Sequence, residues 1–189
     1  MITRFMTVYP GHIDMPDLGQ DATPANERNY SNEQLVSVFD KLEAIAKQMD
    51  RFGWDTLWLA EHHFQREGYE VLPNLLILAV HLAHVTKRLK VGCGFNITPM
   101  WHPLRLAEDY AVADILTRGR TVFGVGRGYH TREVETLGGP LLDQNANREI
   151  SRSRSRSCSR PSTAKASSIV ASTIRCRPAC PIAATSLRN

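Results

Sequence analysis

The chain has 189 residues, 42% of them hydrophobic and 22% charged, enough for one domain with a real core and too few for two comfortable ones. That composition excludes a wholly disordered chain, and no apolar run reaches the roughly 18 residues of a helical membrane span. The formal charge of +4 averages two unlike pieces: residues 1–150 hold all 19 acids against 15 bases, whereas 151–189 hold 8 bases and no acid.

Four short apolar runs rich in Val, Leu, Phe and Trp, at 2–9, 56–60, 89–97 and 121–125, read as strands. After the first, Ser31 with Gln34 three residues later forms a capping box, and Leu35, Phe39, Leu42, Ala46 and Met49 recur at helical spacing up to Gly53. A second helix, 73–85, is apolar on most faces, which suits burial against a sheet and a dimer contact with a second copy. A third opens with Pro103 in its first turn and runs to Gly119, with Leu104, Ala107, Ala111, Ile115 and Leu116 expected inward. Glu108 and Asp109 on it are placed to pair with Arg105.

The order β-α-β-α-β-α-β, with strands apolar throughout, predicts a parallel sheet covered by helices: a doubly wound sheet or a (β/α)8 barrel. A dinucleotide fold needs G-x-G-x-x-G after its first strand. Here that strand runs into Tyr9-Pro10-Gly11-His12, and Gly124-Val125-Gly126-Arg127-Gly128 has another spacing.

In a barrel, the carboxyl ends of the strands form the active face. The second strand ends in Glu61-His62-His63, and imidazole holds or passes a proton near neutral pH. The third ends in Gly92-Cys93-Gly94-Phe95-Asn96, where glycines allow either close approach of a planar ligand or tight packing, and Cys93 reads as a small buried residue. The fourth ends in Gly126-Arg127-Gly128-Tyr129-His130, an arginine with little bulk around it to obstruct a phosphate. No metal is expected: His62 and His63 are adjacent on an extended strand, and no third ligand stands at a typical spacing. Cys93, Cys158, Cys176 and Cys180 are taken as free thiols of a cytoplasmic protein, since 1–10 lacks the layout of a signal peptide.

Together the segment 52–64, Val91-Gly92, His102-Pro103-Leu104-Arg105-Leu106-Ala107-Glu108-Asp109, Gly119-Arg120 and 123–128 resemble the luciferase-like flavin monooxygenases, across nearly all of 1–150. The resemblance implies a (β/α)8 TIM barrel, of which about the first four β/α units are present. It implies reduced FMN as cofactor, or the deazaflavin F420 in one oxidoreductase branch, dioxygen and a small organic substrate, and a flavin reductase that supplies the reduced flavin. It further implies His62 as the catalytic histidine with His63 beside it, Gly94-Phe95 as a non-prolyl cis peptide against the flavin ring, Tyr129 in the cofactor site, and Arg127 and Arg148 on the phosphate. Gly126 stands where the light-emitting members carry a reactive cysteine, so light emission is not implied. The polar insert from Gly11 to Asn32 is expected to shape the substrate entrance.

The resemblance stops at Ile150, where a Ser/Arg-rich tail, 151–189, begins without Gly, aromatic, Met, Asp or Glu residues. Read one base out of step, with codons chosen for the purpose, its first part becomes acidic and helically spaced, so a lost base near codon 151 is expected. With half a barrel, weak flavin affinity and poor solubility follow. The alternatives are a tail that binds RNA through phosphate contacts and a non-catalytic half-barrel subunit.

Overall fold

The β-branched and leucine-rich runs form strands because their side chains suit a surface buried on both faces. In the computed structural model, residues 3–15 and 27–137 are described, with 17, 24, 149, 152 and 153. In chain order they form β1 (Met6–Tyr9), α1 (Asn32–Arg51), β2 (Thr56–Leu59), α2 (Leu75–Val85), β3 (Lys90–Cys93), β4 (Asn96–Ile97), a 3-10 turn (Thr98–Met100), α3 (Pro103–Thr117), β5 (Thr121–Val122), β6 (Val125–Gly126) and α4 (Thr131–Thr136). Arg148 and nearly all of 151–189 lie outside the described residues.

A four-stranded parallel sheet runs β1-β2-β3-β5, with Met6 opposite Thr56, Thr56 opposite Lys90 and Val91 opposite Thr121. This is an arc of the expected barrel, each strand returning to the sheet through a helix. Leu57, Leu59, Val91 and Cys93 of the strands pack against Val38, Leu42, Ala46 and Met49 of α1, Leu75, Ala79 and Leu82 of α2, and Leu106, Tyr110 and Ala113 of α3. No described helix is long and apolar enough to cross a membrane.

The capping box is present: the Ser31 hydroxyl accepts from the Gln34 N–H, and the Ser31 N–H donates to Gln34 Oε1 at 2.9 Å. Two inward faces differ from expectation. On α1, Val38 is buried and Phe39 stands at the rim, because the 3.6-residue period leaves adjacent stripes that only the sheet can choose between. On α3 the buried residues are Leu106, Tyr110, Ala111, Ala113 and Thr117, whereas Leu104, Ile115 and Leu116 are 60%, 53% and 61% exposed. The Tyr110 hydroxyl fixes that rotation, donating to Asn96 Oδ1 at 2.7 Å or to the Gly124 carbonyl at 3.1 Å. The helix stops at Thr117, two residues before the expected end, because Arg118 turns left-handed at φ 56° and Gly119 follows at 78°.

The third and fourth apolar runs each divide in two. The Gly94–Phe95 peptide bond between β3 and β4 is cis. Between β5 and β6, a Cβ on Gly124 would lie 1.8 Å from the Cys93 carbonyl oxygen, so only glycine fits. β4 and β6 then pair parallel with each other, Asn96 opposite Val125. At Gly92, the space that a side chain would need is filled by the Trp58 ring, which settles that glycine as a packing residue.

Candidate active site

Parallel strands place their carboxyl ends along one edge, so the segments after β2, β3 and β6 meet there. Immediately past β2, the His62 N–H donates to the Leu72 carbonyl, and Phe64 turns left-handed at φ 59°. These contacts point successive side chains of 61–63 into different surroundings.

Glu61 is buried and works inward. Its Oε2 accepts from Asn96 Nδ2 at 2.6 Å and the Ile97 N–H at 3.1 Å, and its Oε1 accepts from Trp101 Nε1 at 2.8 Å. His63 Nε2 lies 3.1 Å from Glu61 Oε1. The pair thus fastens β4 and the 3-10 turn under the edge, and burial of four donors on one carboxylate satisfies a group that would otherwise be costly to bury. Cys93 is buried beside this network, its thiol pushed up to about 12 by burial, which makes it inert as the sequence reading expects.

His62 is also buried, but its ring faces a different set of groups. Nδ1 lies 3.1 Å from Glu133 Oε1 on α4, and Nε2 lies 3.2 Å from Glu70 Oε2 in the β2–α2 connection. Glu133 in turn accepts from the His63 N–H at 2.8 Å and from Gln65 Nε2 at 3.3 Å. Burial raises the Glu133 carboxyl, but the bonds from His62, His63 and Gln65 outweigh it and hold it below the usual glutamate range. The rings of Tyr129 and His130 stand edge-on to His62, with centroids at 6.1 and 5.1 Å. Burial and the Glu70 and Glu133 carboxylates raise the Tyr129 phenol.

Of the residues singled out from sequence, the fold therefore gathers His62 with Tyr129 and gives His63 to Glu61. Gly94 and Phe95 lie at the same edge, the Gly94 N–H donating to the Leu59 carbonyl at 2.7 Å, with Phe95 48% exposed. Arg127 is half-buried, and its Nη1 is buried with no hydrogen-bond partner among the described residues. Arg105 pairs with Glu108 at 3.0 Å, as the helical spacing predicts.

Glu70, His130 and Glu133 were not found from sequence. His130 ends the fourth-strand motif and was legible as a candidate. Glu133 sits on a six-residue helix and Glu70 in a connection, where no periodicity orients a side chain.

The profile of the family described as "Luciferase-like monooxygenase" matches residues 11–153. The oxygenase component of the flavin-dependent trigonelline monooxygenase of Acinetobacter baylyi is 31% identical over 111 residues, 59% of this chain and 30% of that protein. The alkanal monooxygenase alpha chain of Photorhabdus laumondii is 33% identical over the same length and the same shares. The similar region thus spans about 30% of these relatives' length. Among solved structures, the oxygenating constituent of 3,6-diketocamphane monooxygenase from Pseudomonas putida, in complex with FMN, superposes with a TM-score of 0.67 at 19% identity, over 84% of this chain and 39% of that one. The long-chain alkane monooxygenase LadA gives 0.61 at 18% identity, over the same 84% and 39%. A parallel α/β arc shared with these barrels, and a family match that takes in every strand after β1, lead to one conclusion: this chain belongs to the luciferase-like monooxygenase family.

Proposed function

We propose that this chain carries the histidine-bearing part of a flavin-dependent monooxygenase that takes reduced FMN from a separate reductase and oxidises a small organic substrate with dioxygen. The observation that carries the reading is Arg127 Nη1, a buried cationic donor with no partner among the described residues, at the carboxyl edge of the sheet. A buried guanidinium N–H left unpaired is costly unless an anion completes it, and a flavin mononucleotide phosphate supplies one.

Arg127 would hold the phosphate, Arg148 belongs to the same reading, and Gly94, Phe95 and Tyr129 would flank the ring. Reduced FMN, when bound, supplies the electrons that activate dioxygen for transfer of one oxygen atom. The chain supplies proton handling and burial. Both ring nitrogens of His62 face a carboxylate oxygen, Nδ1 that of the buried Glu133 and Nε2 that of the more exposed Glu70, so Glu133 would hold the ring in place and the Nε2–Glu70 side would be where a proton is passed. His63, bound to Glu61, is a positioning residue in this reading. A second copy of the chain seated on α2, where Ile77 is 68% exposed, is part of the same proposal.

Equilibrium dialysis of the 189-residue chain against FMN and riboflavin tests it, since the two differ only by the phosphate. FMN is expected to bind the tighter, and Arg127→Ala to erase a preference of about 10- to 100-fold, the value of a charge-assisted bond of about 1.5–3 kcal/mol. Equal affinities in the wild-type chain, or tighter binding of F420 than of FMN, would overturn it.

A further inference from the structure

His62, Glu70 and His130 come from three separate segments, and one ligand atom of each lies within 4.8 Å of the others. His62 Nε2 is 3.2 Å and His130 Nε2 3.8 Å from the same Glu70 Oε2. The two imidazoles meet edge-on at an interplanar angle of 90°, so their nitrogens converge on the carboxylate without the rings colliding. From the structure we infer that these three residues form a binding site for a borderline-soft divalent transition metal ion, with Zn2+ as its natural class of ligand.

Metal–nitrogen and metal–oxygen bonds of about 2.0–2.2 Å at a tetrahedral centre put the donor atoms about 3.4 Å apart. The two distances to Glu70, 3.2 and 3.8 Å, bracket that edge, and the two imidazole ligand atoms lie within 4.8 Å of each other. Two imidazoles and one carboxylate suit zinc and its neighbours; calcium and magnesium prefer all-oxygen sets.

The surroundings support the triad in the way that metal sites require. Metal-ligating histidines commonly donate their second nitrogen to a carboxylate, which fixes the tautomer and raises the basicity of the ligating atom. Glu133 does this for His62 at 3.1 Å and is itself held by the His63 N–H and Gln65. Side-chain exposure rises from 7% at His62 to 27% at Glu70 and 36% at His130. The triad is therefore anchored at its inner end and open to solvent at the other, where water or a fourth ligand completes the coordination. The positions 62, 70 and 130 form no compact motif, which is why the sequence alone gives no metal signal.

This inference does not rest on the flavin reading, although it bears on it: a cation on His62 Nε2 occupies the atom through which that ring would exchange a proton, so zinc would act as an inhibitor.

Binding is read directly, in the chain carrying Cys158→Ser, Cys176→Ser and Cys180→Ser so that tail thiols contribute nothing. Equilibrium dialysis is expected to show one saturable Zn2+ per chain. Co2+ should give the visible absorption of a low-coordinate N/O site with no thiolate charge-transfer band. Glu70→Gln and His130→Ala are each expected to weaken Zn2+ binding at least about tenfold, and Glu133→Gln by about 10- to 100-fold. His81→Ala, at an exposed histidine on α2, should leave it unchanged. Far-UV circular dichroism of each variant separates loss of the site from loss of the fold. No saturable binding by the folded chain, or binding that neither Glu70→Gln nor His130→Ala alters, overturns the inference.

Discussion

Glu133 ties both histidines to α4 through a single carboxylate, so the placement of His62 depends on the charge of a residue 71 positions away. An unfolded glutamate titrates near ~4.3. In the fold, burial alone would raise that value, yet the hydrogen bonds from His62, His63 and Gln65 bring it lower. A carboxyl depressed by folding stabilises the fold above its unfolded pKa, and the contribution is lost as pH falls through the folded one. Glu133→Gln is therefore expected to cost about 1–3 kcal/mol at neutral pH, through buried donors left facing a poorer acceptor. It should also flatten the decline of the urea midpoint as pH falls below roughly 4.3, from the unfolded glutamate value towards the lower folded one. A variant whose midpoint falls with pH as steeply as the wild type's would show that Glu133 is not the group responsible. His62 itself was legible because strand-end chemistry has a local sequence context. Glu70, His130 and Glu133 are joined to it only by tertiary contacts, and no spacing rule reaches across such distances in the chain.

On α3 the hydrophobic residues outnumber the positions that one buried face can take. Leu104, Ala107, Ala111, Ile115 and Leu116 form a valid stripe on paper, and Leu106, Tyr110, Ala113 and Thr117 form another, with Ala111 buried in the fold beside the second; Tyr110 decides between them because its buried hydroxyl is held by Asn96 and Gly124. Periodicity reveals that a helix exists and leaves its rotation open when both faces are apolar. Denaturant unfolding separates the two rotations. Leu106→Ala, at 1% exposure, is expected to cost about 2–5 kcal/mol. Leu116→Ala, at 61%, should stay within about 0.5 kcal/mol of wild type. A larger loss at Leu116 than at Leu106 would return the helix to the rotation read from sequence. By contrast, the start of α1 was legible to the residue, since Ser31 and Gln34 satisfy orphan N–H groups locally and need no tertiary partner.

A closed barrel has no strand edges, whereas the described sheet has two, at β1 and β5. The β-α alternation made the barrel class readable, because each unit carries its own apolar run and helix; closure is a property of the whole ring and leaves no mark on any one unit. The β1 flank shows the consequence. Phe5, Met6 and Val8 are 56%, 41% and 59% exposed. A concavity of about 410 Å³ opens nearby along α1, lined by Ile45, Met49, Phe52 and Trp54 among others, with the Phe5 and Trp54 rings 6.1 Å apart. An unpaired parallel edge next to an apolar flank recruits another chain, since main-chain hydrogen bonds and buried area are gained together. The 189-residue chain is accordingly expected to self-associate with rising concentration, as read by multi-angle light scattering. Val8→Lys places an ammonium on the exposed side of β1, where the edge would dock, at a position whose side chain is already more than half in solvent, so the fold should survive the change. The variant should shift the onset of association to several-fold higher concentration with an unchanged circular dichroism spectrum. A wild-type chain that stays monomeric across the range would mean that this edge is covered within the chain, and a Val8→Lys chain that associates like the wild type would mean that association runs through another surface, such as α2.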